Sequence, residues 1–112
     1  MVRRDSASER RRPTYPLAEF KAAAVAGTVK FGVGAVRGLG CLEFDIDDAR
    51  VCLMALDSSD FYKSSPPKEG HGGWRDIYKT TYLGRAIYVK ITRAGDGPFL
   101  VESFKSDTGG WE

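Results

Sequence analysis

From Arg85 to Thr92 the chain alternates without a break. Ile87, Val89 and Ile91 fall on one side, and Tyr88, Lys90 and Thr92 on the other. A period of two is the mark of a strand with one face buried and one face free. Gly95-Asp96-Gly97-Pro98 follows as a turn, and Phe99 to Lys105 then reads as a partner strand, so the two segments form an antiparallel hairpin. Phe99 to Lys105 carries apolar residues on both faces (Phe99 and Val101; Leu100 and Phe104), as an interior strand does. Upstream, Phe61 to Ser64 is a short extended piece that Ser65-Pro66-Pro67 ends. After a loop rich in glycine and charge, Trp74 to Thr81 is again dense in strand formers.

The first half of the chain has a different texture. Pro16 suits the start of a short helix from Leu17 to Ala26, with Leu17, Phe20 and Ala24 on one face and Gly27 as its stop. Val29 to Phe31 reads as a short extended piece. Gly32 to Gly40 holds four glycines, each costing a helix about 1 kcal/mol, yet a second short helix is expected there with Val33, Val36 and Leu39 buried. Asp45 is the strongest helix start in the chain, with Asp47 and Asp48 well placed in the first turn against the helix dipole. Ile46, Ala49, Leu53 and Leu56 repeat at helical spacing up to about Asp57. Helices followed by a run of strands predict an α+β domain, short N-terminal helices packed on a small antiparallel sheet.

At 112 residues, one such core is all the chain can build. A (β/α)8 barrel needs about 250 residues, and no stretch approaches the ~18 apolar residues of a membrane span. No secretory leader follows the basic start, which predicts a cytoplasmic protein with no membrane partner. Cys41 and Cys52 read as two buried thiols, and with a single histidine the chain cannot assemble a Cys/His metal cluster; neither a metal nor a cofactor is expected. Residues 1–12 carry five arginines against Asp5 and Glu9 and read as a flexible basic arm. Residues 13–105 form the single domain, and 106–112 a C-terminal tail. Residues 13–60 hold four basic and seven acidic groups, and residues 61–112 eight basic and six acidic, so charge is segregated along the chain.

On the strand from Arg85, Tyr88 and Lys90 stand two residues apart and so point to one side of the sheet. Lys63, Arg75 and Lys105 lie near the ends of the other strands, and His71 sits in the glycine-rich loop. Cations with a phenol suit a phosphodiester backbone, since lysine and arginine neutralise phosphate oxygens while tyrosine stacks on a base or moves a proton. The same set suits metal-free RNA cleavage, in which the substrate's own 2′-hydroxyl attacks phosphorus. Solvated lysines and packing tyrosines would produce the same pattern.

Four strings in order sharpen this reading: Asp60-Phe61-Tyr62-Lys63-Ser64, His71-Gly72-Gly73-Trp74-Arg75-Asp76-Ile77-Tyr78, Ile87-Tyr88-Val89-Lys90 and Ser103-Phe104-Lys105. With Pro13-Thr14-Tyr15-Pro16-Leu17 and Phe20-Lys21 upstream, the chain resembles the MqsR family of toxins over residues 13–105. The resemblance implies a RelE-like α+β fold, metal-independent and sequence-selective cleavage of single-stranded mRNA, and neutralisation by a cognate antitoxin, MqsA-like or another small DNA-binding protein. It carries a functional role to Lys63, Tyr88 and Lys105, with Arg75 and His71 as further catalytic candidates. Lys90, Trp74, Tyr62 and Arg85 are the candidate RNA contacts. Two departures stand out. Arg75 occupies a position where the family usually has glutamine, exchanging a neutral amide for a fixed bidentate cation. Gly70 replaces the aspartate that usually precedes the histidine, removing an Asp–His pairing. Two other readings use the same residues: a catalytically inactive module of this fold that binds nucleic acid or antitoxin, and a DNA-binding domain working through the arginine arm.

Overall fold

A computed structural model describes residues 8–68 and 72–108 of the chain. Three helices precede most of the sheet: α1 (Leu17–Ala26), α2 (Val33–Leu42) and α3 (Ile46–Met54). The strands are β1 (Lys30–Phe31), β2 (Phe61–Ser65), β3 (Arg75–Tyr82), β4 (Arg85–Arg93) and β5 (Phe99–Ser106), in the spatial order β1-β5-β4-β3-β2. The α+β class is as expected, and β5 is an interior strand. The sheet is mixed, however. β1 pairs parallel to β5, Lys30 opposite Leu100 and Phe31 opposite Val101. None of the helices among the described residues is long and apolar enough to cross a membrane.

Local chemistry explains each helix boundary. Asp45 caps α3 through a reciprocal box: its Oδ1 accepts from the Asp48 N–H at 2.8 Å, and Asp48 Oδ2 accepts from the Asp45 N–H at 3.0 Å. The helix closes at Met54, three residues short of Asp57, which instead caps a 3-10 turn over Ser58–Asp60. Gly27 ends α1 in the left-handed region at φ 78°. α2 forms despite its glycines, but Val33 and Val36 are exposed; Ala35, Leu39 and Leu42 are its buried residues. The cause is Gly38, whose missing side chain lets α2 lie directly on β5, where a Cβ would stand 2.0 Å from the Phe104 carbonyl oxygen. That close seat, rather than the valine spacing, sets which side of α2 faces in.

The core lies between the helices and one face of the sheet. Phe20, Ala35, Leu39, Ala49, Leu53 and Leu56 meet Tyr78, Ile87, Val89, Ile91, Val101 and Phe104, all within 4 % exposure. Phe99 stands edge-on to Phe20, with ring centroids 5.3 Å apart. Only Cys52 is a buried thiol, pushed up to about 12 chiefly by burial; Cys41 is exposed on α2. The apparent two-facedness of β5 also resolves. Lys90 pairs with Ser103 but Ile91 with Val101, so Glu102 is an extra residue, and the bulge turns Phe104 to the same side as Val101.

The segment before α1 is tied to the sheet by Asp76. This side chain is wholly buried and its carboxylate accepts from the Thr14 N–H at 3.0 Å and the Tyr15 N–H at 2.9 Å. Within the stretch expected to be an arm, Arg10 exchanges both backbone hydrogen bonds with Ser64, on the outer edge of β2.

Candidate functional site

The helices cover one face of the sheet, and the other face holds the chemistry. Ile77 and Tyr88 are buried yet lie outside the helix-side core, which puts them beneath this second face. Strand register then lays the charged residues out in rows. In the first, Lys79 stands opposite Tyr88 and Tyr88 opposite Lys105. In the second, Lys63 stands opposite Ile77, Ile77 opposite Lys90, and Lys90 opposite Ser103. Residues directly opposite on one face have Cβ atoms about 5 Å apart, so each row is a line of touching side chains.

A bulge in β2 completes the arrangement. Phe61 pairs with Tyr78 and Lys63 with Ile77, leaving Tyr62 as the extra residue. Strict alternation would send Tyr62 and Lys63 to opposite faces; with the bulge both line one cleft of about 150 Å³ together with Ser65, Ile77, Lys79, Tyr88 and Lys90. The ring of Tyr62 has Lys79 Nζ 4.1 Å and Lys63 Nζ 5.3 Å from its centroid, and Lys105 Nζ lies 5.0 Å from that of Tyr88.

The cations differ in how they are held. Lys63 Nζ donates to Glu9 Oε2 at 2.7 Å, Arg75 Nε to Glu102 Oε1 at 2.8 Å, and Lys79 lies 3.8 Å from Asp107. Among the described residues Lys90 and Lys105 have no ion-pair partner. Lys90 is half-buried, and loss of solvent pulls its pKa below the ordinary lysine value; Glu102 opposes that shift, while Arg75, Lys68 and Lys105 add to it. Among the described residues no three His, Cys, Asp or Glu side chains group as metal ligands would.

Of the residues singled out from sequence, Lys63, Tyr88, Lys90 and Tyr62 line the cleft. Lys105 borders it over Tyr88, and Arg75 stands at its upper end, beside Ser65. Trp74 lies beyond the cleft at the end of β3. The Arg10 guanidinium is 3.5 Å from its ring centroid, and its carbonyl accepts from the Tyr15 and Thr92 hydroxyls. Arg85 is not brought in: it lies on the helix side, 5.9 Å from the Phe44 ring. His71 falls outside the described residues. Lys79, Glu9 and Glu102 escaped the sequence reading. Lys79 had a usable signal, being two residues beyond Ile77 and four beyond Arg75 on one strand; Glu9 and Glu102 had none, since one arrives from a segment 54 residues away and the other depends on a bulge.

Residues 12–106 match the family described as motility quorum-sensing regulator, toxin of MqsA. The chain is 33% identical over 97 residues to the mRNA interferase toxin MqsR of Escherichia coli (strain K12), covering 87% of this chain and 97% of that protein. On the strength of a match spanning all three helices and all five strands, the chain belongs to the MqsR toxin family.

Proposed function

We propose that this protein is the toxin of a type II toxin–antitoxin pair and that it cuts single-stranded mRNA in the cleft between β2 and β5. The observation that carries the reading is the convergence of Tyr88 with Lys63, Lys90 and Lys105 on the sheet face the helices leave uncovered. In the proposed reaction the ribose 2′-hydroxyl gives up its proton to solvent as its oxygen attacks the adjacent phosphorus, the bond to the 5′-oxygen breaks, and a 2′,3′-cyclic phosphate and a 5′-hydroxyl result, solvent afterwards returning a proton to the general acid. Lys63 and Lys105, with Lys90 and Arg75 beside them, offset the charge that grows on the phosphorane oxygens. Tyr88 donates its proton to the departing 5′-oxygen. Tyr62, raised by the bulge and 48 % exposed, is the ring on which a base stacks. The family's description as a toxin of MqsA supports an antitoxin partner for this chain, and mRNA as substrate supports action in the cytoplasm.

The test uses purified protein, single-stranded RNA and EDTA. Cleavage that persists under chelation and leaves cyclic-phosphate ends is expected. Lys63→Ala should cost about 10²–10³ in rate, as for loss of one charge-stabilising donor, and Tyr88→Phe about 10²–10⁴, as for loss of a general acid. Cutting of a substrate with a 2′-deoxy sugar at the scission step, or a requirement for Mg²⁺, would refute the mechanism. A binding-only reading draws on the ion pairs: Lys63 is engaged by Glu9 and Arg75 by Glu102. It predicts RNA binding that weakens with salt and no strand scission.

A further inference from the structure

Residues 8–12 are not merely adjacent to the cleft; their backbone is fastened to its rim. The Arg10 N–H donates to the Ser64 carbonyl at 2.7 Å and the Ser64 N–H to the Arg10 carbonyl at 3.0 Å, a single antiparallel bridge on the free edge of β2. Four residues on, Thr14 and Tyr15 are pinned to the buried Asp76, and Thr14 Oγ1 meets Ser64 Oγ at 2.8 Å. The Arg10 side chain is spent on this fastening, its guanidinium 3.5 Å from the Trp74 ring centroid and its Nη1 3.2 Å from Thr14 Oγ1. Arg11 and Arg12 are exposed, and neither has an ion-pair partner among the described residues. A hollow of about 270 Å³ lined by Ser8, Glu9, Arg10, Arg11, Tyr62 and Lys63 shares Tyr62 and Lys63 with the cleft. A second, more open hollow continues along Arg10, Arg11 and Arg12 to Thr14. In the shared hollow a carboxylate, Glu9, already rests 2.7 Å from Lys63 Nζ, occupying the place of an anion.

We propose that Arg11 and Arg12 form a second phosphate-binding subsite, which grips the nucleotides leaving the cleft across the edge of β2. The proposal rests on the RNA-cleavage reading above and extends it from one scissile step to a binding path. The path runs from Lys90 and Tyr88, past Lys63 and Tyr62, to the two arginines. Phosphate arriving at Lys63 displaces the Glu9 carboxylate, exchanging one anion for another on the same ammonium. Because the backbone is already clipped at Arg10 and Thr14, binding does not have to order a free arm, a cost that would otherwise be set against each contact. Single-stranded RNA is favoured over an acidic polypeptide because the arginines continue a cleft whose exposed Tyr62 ring suits a base.

The experiment measures the affinity of uncleavable single-stranded RNA, 2′-deoxy at the cut step, as a function of salt. A trinucleotide that fills only the cleft is compared with oligomers extended on the 5′ or the 3′ side. Each phosphate contact on a single strand contributes about 0.7 to the log–log salt slope, so Arg11→Ala/Arg12→Ala should lower the slope for one extended oligomer by ~1.4. Between 1 M and 0.1 M salt that is a deficit of roughly 25-fold in affinity, with the trinucleotide bound equally by both proteins. Arg11→Lys/Arg12→Lys, which keeps the charge, should restore the slope, and unchanged thermal unfolding of all three proteins separates lost contacts from lost fold. Equal slopes for wild type and the alanine pair, with wild type binding RNA normally, overturn the subsite and leave the cleavage reading standing. The same result with antitoxin binding lost instead assigns the arginines to a protein partner and also overturns it. If wild type binds no RNA of any length, the cleavage reading itself fails.

Discussion

Replacing Gly38 with alanine sets two effects of known sign against each other. In the middle of a helix, glycine is worse than alanine by about 1 kcal/mol, so propensity alone makes Gly38→Ala stabilising. The seat of α2 on β5 reverses that. The new Cβ would lie 2.0 Å from the Phe104 carbonyl oxygen, 3.0 Å from its carbon and 3.2 Å from the Lys105 Cβ. All three belong to β5, whose Phe104 and Lys105 are paired with Val89 and Tyr88 of β4, so it is the helix that must retreat, by about 1 Å. A gap of that size forfeits a quarter to a half of each dispersion well along the interface, where Ala35, Leu39 and Leu42 are buried. Overpacking of this kind typically costs about 1–3 kcal/mol or somewhat more; after the propensity gain, a net loss of about 1–2 kcal/mol is expected. Gly40, two residues on, is the control, since a Cβ there meets nothing within 4 Å. Gly40→Ala should therefore stabilise, by up to ~1 kcal/mol. Thermal unfolding followed by circular dichroism reads both: for a domain of this size each kcal/mol moves Tm by about 4–8 °C, down for Gly38→Ala and up for Gly40→Ala. Equal or greater stability of Gly38→Ala would refute the argument, because it would mean that α2 does not rest on the β5 backbone.

Lys90 carries a pH dependence. Burial lowers its folded pKa below 10.5, so the folded state binds its proton less tightly than the unfolded chain, and the ammonium destabilises the fold at neutral pH. That penalty lifts as pH rises through the lowered value toward 10.5. Lys90→Met should thus be more stable than wild type at neutral pH, with the difference shrinking as pH rises; a constant difference in denaturant titrations would contradict the assignment. Arg75→Ala removes a neighbouring cation that depresses Lys90 and leaves Glu102 to it. NMR titration of the Lys90 side chain should move upward, with a stability loss of no more than about 1 kcal/mol for this partly exposed pair. Asp76→Asn turns one acceptor toward a backbone N–H donor at the joint with Thr14 and Tyr15. A cost of about 2–3 kcal/mol is expected from losing one charge-assisted bond in a buried position, together with faster amide exchange at those two residues.

The strands and the first and third helices were legible because each rests on local rules. Alternation defines β4, a cap and charged first turn start α3, and a left-handed glycine ends α1. The inward face of α2 was misread because the deciding contact is glycine against a strand 66 residues away, invisible to a count of valines. The two bulges were likewise hidden. Without them Phe104 counts as facing away from Val101, and Tyr62 as facing away from Lys63. The candidate site rests on ordered short strings and the side-by-side placement of Tyr88 and Lys90, whereas Arg85, read as an RNA contact, lies on the other face. What sequence could not show is the set of counter-charges, Glu9, Glu102 and Asp107, whose positions follow from tertiary packing.

The pairing of Lys30 with Leu100 and the place of β5 between β1 and β4 have a consequence for synthesis. A chain emerging from the ribosome can make its helices early, but β1 and β4 have nothing between them until Phe99–Ser106 has been made. Lys105 and the wall against which Tyr88 rests arrive with that same strand. A product truncated before Phe99 therefore lacks Lys105 and leaves β4, and Tyr88 with it, without a neighbour on that side.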